Sequence, residues 1–136
     1  MENQTGQIAV KDFVESVAFL LRETFEGSPA GEGSAYLDQG VGMFNTLDAV
    51  SADIASWSFH GTTIAAQTEH AKFYLDRLCV FINGRTAKVN WEDSWLIETV
   101  NEEEWDALRA AVQTAYKDVL LCLAEPREWT EMQVGM

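Results

Sequence analysis

Apolar residues recur along this chain at the three-and-four spacing of one helix face, and nowhere at the alternating spacing of a strand. Between Ile8 and Phe25, the positions Val10, Phe13, Val14, Val17, Ala18, Leu21 and Phe25 form one stripe and predict a first helix. Glu26-Gly27-Ser28-Pro29 stops it, and the glycine-rich stretch 27–34 reads as a mobile loop. From Ala35 to Val50, Leu37, Val41, Phe44, Leu47 and Val50 keep helical spacing and predict a second helix. Gly40 and Gly42 each cost about 1 kcal/mol against alanine in a helix interior. That helix is therefore expected to break near Gly42, or to use its glycines for close packing.

Ser56 to Gly61 reads as a turn carrying Trp57 and Phe59. Thr62 or Thr63 can cap a third helix that runs to about Ile82. Its core-facing set is Ile64, Ala71, Tyr74, Leu75, Leu78, Phe81 and Ile82, and Asn83-Gly84 closes it. Residues 85–100 form a long connection, and Trp91 and Trp95 predict that it packs down on the helices. Asn101-Glu102-Glu103-Glu104 opens a last helix in the manner of a capping box. Its stripe is Trp105, Leu108, Val112, Ala115, Val119, Cys122 and Leu123, and Pro126 closes it ahead of a short tail, Arg127 to Met136. The expected fold class is all-α, a helical bundle in one domain spanning 1–136.

Composition adds a charge to this picture. With 9 Lys and Arg against 22 Asp and Glu, the chain carries a net charge of −13. A field of that sign repels phosphate backbones and anionic lipids, so nucleic-acid and membrane-surface partners are disfavoured. Solubility is one reading of the charge, and a basic protein partner or cationic ligand is the other. No apolar run approaches the roughly 18 residues of a membrane span. The start of the chain lacks the basic and apolar segments of a signal peptide, so a cytoplasmic address is expected. Cys79 and Cys122 each sit in an apolar helical run as small hydrophobes, without a CxxC motif or the pattern of a disulfide framework.

Few residues offer chemistry. No Ser or Cys stands in a nucleophile motif with a His, and the 27–33 glycines match neither phosphate fingerprint. The acids Glu98, Glu102, Glu103, Glu104 and Asp106 are explained by helix capping and solvation. Of the two histidines, His60 sits in the turn before the third helix, as a surface or capping residue. His70 lies inside that helix, with Gln67 one turn before and Tyr74 one turn after, so it should point to the bundle interior or its mouth. It has two readings: a hydrogen-bonded boundary histidine, or one ligand of a metal assembled from several helices. Glu69 points to a different face, and Gln67-x-x-His70 puts an amide where a di-iron bundle needs an acid.

Two stretches resemble a known family. Gly61-Thr-Thr-Ile-Ala-Ala-Gln-Thr-Glu-His70-Ala-Lys-Phe-Tyr-Leu75 is similar to the histidine-bearing helix of the DinB-like superfamily of bacterial helical bundles. Trp91-Glu-Asp-Ser-Trp95, then Asn101-Glu-Glu-Glu-Trp105-Asp-Ala-Leu-Arg109, looks like the family's next segment. Tyr36-Leu-Asp-Gln-Gly40 and Phe44-Asn-Thr-Leu47 look like the stretch before the histidine helix. The resemblance spans most of residues 8–134 and is carried by the order of its motifs. It implies a four-helix bundle of the DinB/YfiT-like type. It also implies a divalent metal, zinc or nickel, held by three histidines, one of them at the position of His70. The other two belong to a His-x-x-x-His helix that does not occur in these 136 residues. Glu131 to Met136 stands where that helix would begin, so the expectation is either a fragment of a longer protein or a fold that closes differently.

Two functions follow as expectations. One is a metal-dependent thiol transferase or hydrolase relative, with His70 as metal ligand and no assigned catalytic residue. The other is a non-catalytic helical module that forms a homodimer or binds a protein partner, because a bundle without the family's last helix would leave an apolar face uncovered.

Overall fold

Local chemistry sets most of the helix ends. The computed structural model describes residues 9–28, 33–85 and 88–130. In it α1 spans Val10–Glu26, α2 Met43–Asp48, α3 Ala52–Ala55, α4 Ile64–Ile82 and α5 Glu102–Ala124, with a 3-10 turn at Trp91–Trp95. Among the described residues there is no strand, so the class is all-α. None of their helices is long and apolar enough to cross a membrane. The expected helix start at Ile8, the centre of the loop (29–32), positions 86–87 of the connection and the end of the tail (131–136) lie outside the described residues.

Thr63 caps α4, its hydroxyl accepting from the Ala66 amide, so the second of the two candidate threonines is the cap. At the other end the Gly84 amide donates to Phe81 O and the Arg85 amide to Val80 O, the paired closure of a Schellman motif. Asn101 and Glu104 form the expected reciprocal capping box at the start of α5. The turn before α4 is tighter than a bare aromatic turn. Phe59 and Thr62 exchange both backbone hydrogen bonds, and His60 and Gly61 between them have φ of +52° and +81°. Two consecutive positive φ values make a type I′ turn, which favours glycine at the second position.

The second helix differs most from expectation. Only Met43–Asp48 is helical where 35–50 was predicted, and a separate four-residue helix, α3, follows it. The competitor is a buried side chain. Glu23 of α1 accepts the amides of Ala35 and Tyr36 at 2.6 and 2.7 Å and that of Leu37 at 3.2 Å, which holds this stretch in bends. Burial pushes the Glu23 carboxyl up, but these amides and the Ser28 hydroxyl pull it further down, to below its ordinary value. The chain then passes Gly40 at φ +80° and enters α2 at Gly42. A Cβ on Gly42 would lie 2.5 Å from Gly27 N and 2.7 Å from Glu26 C. The close packing expected of these glycines holds for Gly42 alone, where it joins the two helix ends at Gly27 and Gly42, whereas a Cβ on Gly40 would meet nothing within 4 Å.

Packing has two centres. Phe25, Leu75, Ile82, Val112, Tyr116 and Val119 form one, and Leu47, Ala52, Ala55, Ala65, Trp105 and Leu108 the other. Each buried Val or Leu side chain contributes roughly 1.5–3 kcal/mol. Contacts at the helix ends fix the helix directions. Near the start of α4, the Thr63 hydroxyl donates to Glu98 O just ahead of α5; near its end, Arg127 donates to Ile82 O just beyond α5. So α4 and α5 run parallel, and residues 88–101 lead back to the start of α5. By contrast α1 runs antiparallel to α5: Phe25 meets Tyr116 with ring centroids 4.9 Å apart, while Val10 and Val14 share a cleft with Leu123 and Trp129. Tyr116 donates to Glu26, and burial together with that carboxylate pushes its phenol up. Five residues of the expected apolar stripes, Val10, Phe13, Val41, Ile64 and Tyr74, are exposed instead. In α1 only Ala18, Glu23 and Phe25 are buried, so among the described residues its early turns are only partly covered.

Candidate functional site

His70 sits where the returning connection crosses α4. The 3-10 turn is started by Asn90, whose side chain accepts from the Glu92 amide. It carries Ser94 into full burial, at 0% exposure. Ser94 Oγ donates to Trp91 O at 2.6 Å, so it is left to accept from His70 Nδ1 at 2.8 Å. That network assigns the proton to Nδ1 and leaves the lone pair on Nε2. Trp95 stacks on the imidazole at 4.0 Å with planes 13° apart, and Tyr74 meets it edge-on at 4.8 Å. Trp91 extends the cluster to Tyr74 and Phe73. Glu69 accepts the Ile97 amide at 2.7 Å, which ties down the end of the connection.

Several of these residues were legible in the sequence. His70 is half-buried, and the 3-10 turn lies on α4 as expected, with its two tryptophans still about half exposed. Ser94 was missed, although it stands between the two tryptophans already singled out. His60 is an exposed turn residue. The acids Glu102, Glu103 and Glu104 occupy the first turn of α5, where they complement the helix dipole.

The metal reading can be tested on the donors present. A ligating histidine commonly donates its second ring N–H, as His70 does. However, its contacts are one hydroxyl and two aromatic rings. Among the described residues no group of three or more His, Cys, Asp or Glu could hold a metal ion. This donor set does not fit a zinc or nickel site.

A second feature lies one turn along α4. Met43, Leu47, Ile54, Trp57, Phe59 and Ile64 line an apolar groove of about 460 Å³. Trp57 and Phe59 are 67% and 73% exposed. Ile64, Gln67, His70 and Tyr74 follow one another at helical spacing, so one face of α4 joins this groove to the ring cluster. Trp91 and Trp95, each 47% exposed, stand at its far end.

No family model, curated protein or solved structure matches this chain. The likeness to the DinB-like superfamily is therefore carried by the residues quoted for it alone.

Proposed function

We propose that this chain is a non-catalytic protein-binding module whose contact surface is the aromatic face of α4. The observation that carries the reading is the exposure of Trp57 and Phe59 on an apolar groove, in line with the half-exposed Trp91 and Trp95. Rings of this size are the residues that anchor interfaces, and contiguous apolar patches mark them. The net charge of −13 selects the occupant. Two copies of this chain repel each other, whereas an amphipathic segment with apolar residues flanked by Lys and Arg is attracted. A homodimer is the competing occupant of the same face. Kinship to the DinB-like superfamily belongs to this proposal too, with α2 and α3 together standing for one helix of its four-helix bundle.

A synthetic helical peptide with leucines on one face and lysines on the other is the probe. Titrated into the full chain, it is expected to shift tryptophan emission to the blue, with weaker binding at higher salt. The double variant Trp57→Ser, Phe59→Ser should abolish that shift while melting as the parent does. Unchanged emission at high micromolar peptide overturns the reading. A two-chain mass in light scattering that the same double variant reduces to one would assign the face to a second copy.

A further inference from the structure

Cys79 of α4 and Cys122 of α5 stand 43 positions apart in sequence, yet their sulfurs are 3.3 Å from each other and both thiols are free. The pair is not isolated. Arg127 donates from Nη1 to Asn83 Oδ1 at 3.0 Å and to Ile82 O at 2.7 Å, and from Nη2 to Cys122 O at 2.8 Å. With its oxygen taken by the guanidinium, the Asn83 amide turns its Nδ2 towards Cys122 Sγ, at 3.7 Å. A cation, an amide and two thiols thus form one chain of contacts at the shared end of the parallel helices. We propose that Cys79 and Cys122 are a redox-active dithiol, which a hydroperoxide converts into an intramolecular disulfide tying α4 to α5.

The surroundings assign the two roles. Cys122 Sγ receives the Asn83 N–H and its own S–H points to Cys79 Sγ; once Cys122 has lost that proton, the Cys79 S–H can turn to it as a second donor. Cys79 is pushed up to about 12 by burial, by the Cys122 thiol, and by Asp118 and Asp76. Cys122 is therefore the attacking thiolate and Cys79 the resolving thiol. The Cys122 sulfur attacks one peroxide oxygen and the O–O bond breaks, giving Cys122 sulfenic acid and, after protonation, water or an alcohol. Cys79 sulfur then attacks Cys122 Sγ, the S–O bond breaks, and the Cys79 proton leaves with the hydroxide as a second water. Two thiols lose two electrons and the peroxide gains them. The sulfurs must close to about 2.05 Å, a short movement for side chains that already touch. Both cysteines are only half-buried, which leaves room for a small oxidant.

The test uses the full chain, reduced and then treated with hydrogen peroxide. Titratable thiols should fall from two to none, the intact mass should drop by two hydrogens, and a digest should contain the peptides of Cys79 and Cys122 joined. The product should stay as one chain and melt higher by roughly 10 °C, since the bond closes a loop of more than forty residues. In Cys79→Ser a sulfenic acid trappable by dimedone should accumulate on Cys122. In Cys122→Ser, Cys79 should stay reduced at the same peroxide dose. Asn83→Leu should slow oxidation several-fold, because the Cys122 sulfur loses the amide N–H aimed at it. Higher sulfur acids without a crosslink, or a bond between two chains, would overturn the proposal. Trapping on Cys79 rather than Cys122 would overturn the assignment of roles.

Discussion

Trp105 and Trp95 belong to the same stretch of chain and end in opposite environments. Trp105, 1% exposed, opens α5 between Leu47, Ala55, Ala65 and Leu108, and its indole N–H donates to Val50 O at 2.8 Å. Trp95 lies on the returning connection, stacked on one face by His70, with the other half of its surface in solvent. The difference teaches where this molecule spends its aromatic residues. A buried indole needs both a cavity of small side chains and a partner for its N–H, and the alanines of α3 and α4 with the end of α2 provide both. The connection lies over the surface of α4, so its two rings pack on one side against His70 and Tyr74 and keep about half of their area in solvent.

The contrast can be broken most severely at the buried end. Trp105→Ala should cost about 3–5 kcal/mol in a urea melt, whereas Trp95→Ala should cost far less; equal losses would mean that the two rings are not differently placed. Next in size is Gly42→Ala. Its methyl group would collide with backbone at Gly27 and Glu26, and forcing them apart should cost about 1–3 kcal/mol. A neutral result would show that the 27 and 42 loops do not touch.

A smaller effect depends on pH. The folded Glu23 carboxyl lies below its ordinary value of 4.5, so its contribution is present above that value and fades as pH falls through the folded one. Glu23→Gln should therefore be less stable than the parent near neutrality, and the gap should narrow below about pH 4.5. Urea midpoints measured across pH 3 to 7 check it, and a gap independent of pH would exclude the charged clasp. The smallest expected effect is at the exposed aromatic face. Trp57→Ser should change stability by no more than about 0.5 kcal/mol, measured by thermal melting, because little of its surface is removed from water. A large loss there would move Trp57 from a binding surface into the structural core.

What the sequence revealed follows the range of each interaction. The ends of α4 and α5 were readable because Thr63, Asn83-Gly84 and Asn101 with Glu104 act within one turn of the backbone they satisfy. The stretch 35–50 was misread because its decisive partner, Glu23, comes from another element, and helical spacing carries no trace of it. His70 could be aimed inward from its neighbours, but its partner Ser94 arrives from 24 positions away. The thiols looked like two separate small hydrophobes because nothing local brings α4 beside α5. The all-α class was legible throughout, since apolar periodicity is a property of each helix alone.

The parallel course of α4 and α5 also bears on how fast the chain can fold. Neighbouring helices in an up-and-down bundle meet after a tight turn, so their contacts are local and search is quick. Here the two longest helices meet only after the connection has doubled back, with pairs such as Thr63 and Glu98 or Asn83 and Cys122 separated by 35 and 39 residues. The entropy of closing those loops must be met before the main helix pair yields any packing energy. A helical protein of this size is thereby given the contact order of a more slowly assembling fold.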